Sequence, residues 1–168
     1  MDLLLTHGYF LADDPKEQAI MKPYPPLGIL YLSSHLRAKG FDVEVYDSTF
    51  GSRQELFGIL EKGPPAVLGV GVNLMTRGIA LEIVAAGHRA GWTVVAGGPE
   101  PANYAAEYLE AGADVVVEGE AEMTLEELLP ALRGGDLARV NGIYYRCGSA
   151  VMHTGRAMAL GEVRQRVG

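Results

Sequence analysis

Cysteine is nearly missing from this chain: Cys147 is the only one in 168 residues. A single thiol excludes an internal disulfide framework, a cysteine-only metal site and an iron–sulfur cluster held by this chain alone. Long apolar runs are missing too. No window approaches the roughly 18 consecutive apolar residues of a membrane span. The apolar start, residues 1–6, is short, has no basic flank and runs straight into polar sequence, which predicts a strand and not a signal peptide. Basic side chains are few: 14 Lys and Arg against 21 Asp and Glu give a formal charge of −7. Such a chain is a poor partner for nucleic acid phosphates or anionic lipid. No Gly-x-Gly-x-x-Gly follows the first apolar run, and no Gly-x-x-x-x-Gly-Lys-Ser/Thr occurs, so dinucleotide and P-loop readings lose their usual phosphate cradle. What is present is 48% hydrophobic residues with 22 Gly and 9 Pro. That is too apolar for disorder and suits one cytoplasmic α/β domain with many short turns.

Apolar periodicity divides the chain into alternating segments. Residues 2–6, 42–46, 66–72, 92–96 and 114–117 read as strands, the third as a continuous apolar run buried on both faces. Residues 27–39, 53–62, 78–90, 102–111 and 124–132 read as helices. Gly40, Gly91 and Gly112 each stand as stop signals before a strand, and Thr124 with Glu127 reads as a capping box. Residues 8–26 read as a long connection with four prolines, and residues 140–146 and 150–154 as a hairpin around Cys147-Gly148-Ser149. The expectation is a flavodoxin-like or Rossmann-like, doubly wound, parallel five-stranded sheet of order 2-1-3-4-5 with a C-terminal β-hairpin. Residues 1–138 form the α/β domain, 139–155 the hairpin extension and 156–168 a basic linker tail.

Ligands of such sheets bind outside the carboxyl ends of the strands. The loops to weigh are therefore Thr6-His7-Gly8-Tyr9, Asp47-Ser48-Thr49, Gly71-Val72-Asn73-Leu74-Met75, Gly97-Gly98-Pro99-Glu100 and Glu118-Gly119-Glu120-Ala121-Glu122. Gly97-Gly98 removes two side chains and opens a slot, although the same turn also reads as a plain strand–helix junction with Pro99 starting the helix. His7 reads as a metal ligand, a base or a hydrogen-bonded structural residue. Glu118, Glu120 and Glu122 suggest a cation site, but Glu122 also suits the start of a helix. Asp47 reads as a holder of a ligand hydroxyl or an acceptor within its own turn. Cys147, in a turn without a nearby His, lacks the partner of a nucleophile. No residues fall into a triad order.

Taken together, Pro25-Pro26-Leu27-Gly28-Ile29-Leu30-Tyr31-Leu32, Leu36-Arg37-Ala38-Lys39-Gly40-Phe41-Asp42-Val43-Glu44-Val45-Tyr46-Asp47, Gly97-Gly98-Pro99-Glu100-Pro101 and Asp114-Val115-Val116-Val117-Glu118-Gly119-Glu120-Ala121-Glu122-Met123-Thr124 resemble the amino-terminal cobalamin-binding domain of B12-dependent radical S-adenosylmethionine (SAM) enzymes. The resemblance covers about residues 1–155. It implies cobalamin held base-off over the strand ends. Thr6, His7, Gly8, Gly71, Asn73 and Met75 would lie near the corrin, and Tyr24, Pro25 and Pro26 at its edge. Gly97 and Gly98 would leave space for the nucleotide tail, with Glu118 and Gly119 bordering it, and Pro99 and Asp47 would belong to the same cofactor-binding set. The methionine synthase type of this domain uses Asp-x-His-x-x-Gly, whose His ligates cobalt. Leu5-Thr6-His7-Gly8-Tyr9-Phe10 departs from it, so no metal ligand is assigned and His7 stays open as one. The Cys-x-x-x-Cys-x-x-Cys of a radical SAM barrel is absent. The resemblance then implies a binding module, not catalytic by itself, whose parent methyltransferase or cyclase supplies the barrel, a [4Fe-4S] cluster and SAM. The competing reading is a small stand-alone α/β enzyme or binding protein that uses Glu118, Glu120 or His7 in the same cleft. A receiver-like domain needs an acidic cluster after strand one and an Asp after strand three, and has neither.

Overall fold

The computed structural model describes residues 1–155. The tail expected over residues 156–168 lies outside the described residues. Five strands, β1 (Leu3–His7), β2 (Val43–Val45), β3 (Val67–Gly71), β4 (Thr93–Gly97) and β5 (Val115–Val117), pair in parallel in the expected order β2-β1-β3-β4-β5. The hairpin, β6 (Ile143–Cys147) and β7 (Ala150–His153), continues the same sheet as two antiparallel strands beyond β5. The expected five strands plus hairpin are thus one seven-stranded sheet.

Side-chain alternation along the strands makes the two layers. Leu3, Leu5, Val95, Val115 and Val117 point to one face, where α2 (Leu27–Ala38) and α6 (Ala121–Ala131) cover them with Ile29, Leu32, Leu36, Leu125, Leu128 and Leu129. Leu4, Leu68, Val70, Val94, Ala96 and Val116 point to the other. There they meet α3 (Arg53–Lys62), α4 (Arg77–Arg89) and α5 (Ala105–Ala111) through Leu56, Leu60, Ile83, Val84 and Leu109. α2 and α6 are tied by His35 Nε2 to Glu126 Oε1 at 2.5 Å. Helix ends follow their caps. Ser52 accepts from Glu55 N–H at the start of α3, and Gly40, Gly91 and Gly112 all stand at positive φ, as the stop signals require.

Three local expectations are corrected. Residues 8–26 contain a 3-10 turn (Leu11–Asp13) and a short helix α1 (Pro15–Ile20). Asp14 caps α1 by accepting from Lys16 and Glu17 N–H, with Pro15 at the first helical position. Thr124 is not an N-cap: α6 begins at Ala121, and the buried Thr124 hydroxyl donates to the Asn141 carbonyl across the layer. The expected helix 102–111 opens as a 3-10 turn (Pro101–Tyr104) before α5, because Pro101 starts it without a side-chain cap. Among the described residues no helix is long and apolar enough to cross a membrane.

Leu68, fully buried in the central strand, is the test of this core. Leu68→Ala should lower unfolding free energy by about 2–5 kcal/mol, read as a lower urea midpoint with an unchanged m-value.

A glycine-floored groove at the strand ends

The register brings three residues into one row at the carboxyl edge: His7 of β1 faces Gly71 of β3, and Gly71 faces Gly97 of β4. All three lie on the α2–α6 side of the sheet by alternation from Leu5, Gly69 and Val95. Two members of the row have no side chain, so the sheet falls away there and leaves a groove of about 710 Å³ between the strand ends, α2, α6 and the chain entering α2. That volume is in the range of small-molecule sites, about 300–1,000 Å³. Ile29, Leu32, Val95, Val117 and Leu125 make its walls apolar. A second hollow of about 520 Å³ lies between α3 and α4, lined by Phe57, Glu61, Glu82 and Arg89, away from every strand end.

Most of the residues expected from sequence meet in the groove: His7, Tyr24, Pro25, Pro26, Gly71, Asn73, Met75, Gly97, Gly98, Pro99 and Gly119 line it. Four do not. Thr6 points to the opposite face, fully buried, and its hydroxyl donates to the Tyr46 carbonyl at 2.9 Å. Gly8 packs against α4, where a Cβ would stand 3.1 Å from Ala80 N and Thr76 O. Asp47 stands behind His7, and Glu118 turns to the hairpin, 2.8 Å from His153 Nε2. His153 also stacks on Tyr144 of β6 with ring centroids 4.1 Å apart, so it ties β7 to both β6 and the end of β5.

The two glycines of the β4 turn have different tasks. A Cβ at Gly97 would meet only Val117 Cβ, at 3.7 Å, and otherwise enter the groove. A Cβ at Gly98 would lie 2.3 Å from the Val72 carbonyl oxygen, and Gly98 stands at φ +115°. Gly98 is therefore fixed by the backbone, since Val72 N–H donates to Gly97 O at 2.8 Å and draws the loops after β3 and β4 together. Below that junction Arg77 Nη1 pairs with the buried Glu100 at 3.1 Å, and Tyr108 Oη donates to the same carboxylate. Burial first, and then this bond, push the Tyr108 phenol far above its ordinary range.

His7 is fully engaged. Its Nδ1 accepts from Tyr9 N–H at 3.1 Å, which places the proton on Nε2, and Nε2 donates to Asp47 Oδ1 at 2.8 Å. Burial works against the Asp47 charge, but hydrogen bonds from Thr49 and His7 outweigh it and hold the carboxyl below its ordinary value. In this arrangement neither ring nitrogen of His7 offers a lone pair to a metal. Among the described residues no group of three or more His, Cys, Asp or Glu side chains gathers to hold a metal ion.

Sequence reasoning weighed Glu122 but missed the rest of the polar lining. Tyr9, Asp14, Glu17, Thr49 and Glu122 all border the groove. The Tyr9 Oη, Thr49 Oγ1 and Glu122 Oε2 atoms are buried with no hydrogen-bond partner among the described residues. Buried polar atoms without partners are costly, and these three lie beneath the groove's accessible surface. Tyr9, Thr49 and Glu122 stand in loops that the sequence did single out, but a loop's sequence does not say which side chains turn inward.

A doubly wound sheet with a side-chain-free slot at its carboxyl edge defines a small-molecule cofactor-binding α/β domain. The family model that matches residues 20–129 is the B12 binding domain, and the chain belongs to that family. Two solved structures of the radical S-adenosylmethionine methyltransferase TsrM from Kitasatospora setae share the fold. One, with cobalamin and a [4Fe-4S] cluster bound, has a TM-score of 0.75 at 24% identity over 94% of this chain. The other, with tryptophan substrate and the SAM analogue aza-SAM bound, has a TM-score of 0.74 at 23% identity over 92%. This chain spans 30% of the length of those proteins. No curated protein matches it.

The two glycines separate in stability. Gly98→Ala should cost about 1–3 kcal/mol or more from backbone strain, whereas Gly97→Ala should cost less than about 1 kcal/mol in the same urea titration.

Proposed function

We propose that this chain binds cobalamin in the groove, base-off, as the cofactor module of a B12-dependent radical SAM methyltransferase or cyclase. The observation that carries the reading is Gly97 at the groove floor in a chain of the B12-binding family: the space a Cβ would fill there is kept open. In this reading the nucleotide tail occupies the slot between the sheet and α2–α6, over Gly97 and Gly98, with Pro99 and Gly119 at its border, while Glu118 holds the hairpin beside it. The corrin lies against the loops that carry His7, Gly71, Asn73 and Met75, with Tyr24, Pro25 and Pro26 at its edge. A tail in the slot cannot also cap cobalt, so the base-off form goes with this geometry. Thr6, Gly8 and Asp47 act from behind as positioning residues, and His7, committed to Asp47 and Tyr9, shapes the floor and is not a lower ligand.

When bound, cobalamin supplies methyl transfer or supports radical chemistry, while the chain's own residues bind it, orient it and exclude water from one face. The rim supports a covering partner. Tyr24 and Met75 are each 91% exposed at the groove mouth, and Leu27, Phe50 and Leu74 add apolar surface nearby. An apolar rim around a groove is the mark of a surface that another body covers. The parent protein is proposed to supply that body as a radical SAM barrel with its [4Fe-4S] cluster and SAM, none of them held by this segment. Of the stand-alone enzyme's candidates Glu118, Glu120 and His7, Glu118 is turned from the groove to His153, and His7 is held between Asp47 and Tyr9.

Anaerobic titration with hydroxocobalamin, followed by absorbance and calorimetry, tests this. One saturable site per chain with a base-off spectrum is expected, and Gly97→Val should weaken it by at least about tenfold while the far-UV circular dichroism is kept. No binding at high micromolar cobalamin would overturn the reading.

A further inference from the structure

The groove changes character with depth. One row below His7, Gly71 and Gly97 stand Leu5, Gly69 and Val95, matched across β1, β3 and β4 on the α2–α6 side. The backbone of that row is spent in the parallel ladder. Leu5 Cδ2 lies 2.7 Å from the place a Cβ of Gly69 would take, and Ile29 Cγ2 3.1 Å from that of Gly71, so apolar side chains overlie both. α2 starts at the carboxyl edge and runs down the sheet, which sets Ile29 above Leu32 on one wall. α6 runs the same way, and Leu125 with Val117 of β5 makes the other wall.

The polar side chains of the lining stand higher. Asn73 and Thr76 belong to the loop after β3, where they bond to each other. Thr49 follows β2, and Glu122 is in the first turn of α6, nearer the mouth than Leu125. His7 has both ring nitrogens engaged, by Asp47 and Tyr9. Among the described residues, the deep wall of Leu5, Ile29, Leu32, Val95, Val117 and Leu125 offers no side-chain donor or acceptor.

A flat aromatic group suits such a wall. A hydrogen-bonding atom that enters it exchanges water for no partner and loses the free energy of that bond. The tail bases of corrinoids differ in this respect. Dimethylbenzimidazole, once off cobalt, brings a single free ring nitrogen and two methyl groups, and a cresol brings no ring nitrogen. Adenine brings several ring nitrogens and an amino group. We infer that the deep apolar wall selects the corrinoid by its tail, accepting benzimidazole and phenolic tails and rejecting purine tails. The inference rests on the cobalamin reading and adds to it the residues that set tail specificity.

The test compares cobalamin with its adenine-tailed and p-cresol-tailed analogues by anaerobic calorimetric titration of the same chain at neutral pH. Adenine leaves cobalt more readily than dimethylbenzimidazole, and cresol does not bind cobalt at all. If detachment of the tail alone governed affinity, the order would run cresol, adenine, dimethylbenzimidazole. The wall predicts that adenine falls last, about tenfold or more weaker than cobalamin, with the cresol form at least as tight as cobalamin. Leu125→Gln brings a carbonyl and an amino group to the wall and should narrow the adenine gap by about threefold or more. Val95→Thr is the second variant, used where circular dichroism shows that the first disturbs the fold. An adenine gap below about tenfold, or one that the folded variant leaves unchanged, overturns the inference and leaves the cobalamin reading standing, as does a cresol form weaker than cobalamin. Failure of all three corrinoids to bind overturns the reading beneath it, and the inference with it.

Discussion

The groove depends on the hydrogen bond from Val72 N–H to Gly97 O, 2.8 Å long, one step beyond the last paired residues of β3 and β4. It holds two strand-end loops in contact where a side chain at Gly98 would strike the Val72 carbonyl. With that contact fixed, Asn73 and Met75 stand on one side of the groove mouth and Pro99 on the other, and Gly71 and Gly97 form a continuous floor. Glu100, buried between Arg77 and Tyr108, braces the junction from the other face of the sheet. The site is therefore built mainly from backbone and from missing side chains, with the polar groups added at its rim.

The sheet was legible because its signals were local and redundant. Val67–Gly71 sits in a continuous apolar run, and Gly40, Gly91 and Gly112 each end a helix independently, so the order of the first five strands followed. The loops were legible for a general reason: a parallel sheet opens at its carboxyl edge. The facing of single side chains was not. Thr6 and His7 are neighbours, yet only His7 meets the groove, because alternation sends them to opposite faces. Glu118 was expected at the groove, but its partner His153 is 35 residues away, a long-range pairing no local pattern announces. The start of α6 was misjudged for a related reason: Thr124 suits a cap, but its hydroxyl is used by Asn141 in tertiary packing.

The division of polar groups follows from the same geometry. Around the strand ends, polar side chains pair with one another: His7 with Asp47, Glu118 with His153, Glu100 with Arg77. Tyr9, Thr49 and Glu122 border the groove, and each keeps one buried polar atom unpaired. In the cobalamin reading the chemistry is the cofactor's own, and its placement is the task of the protein.

The most direct measurement is anomalous diffraction at the cobalt edge from crystals of this chain grown with hydroxocobalamin. The account predicts one cobalt site per chain at the groove mouth bounded by Asn73, Met75 and Tyr24, with the tail density running over Gly97. A cobalt peak bonded to a surface histidine such as His88, with the groove free of corrinoid density, would contradict it.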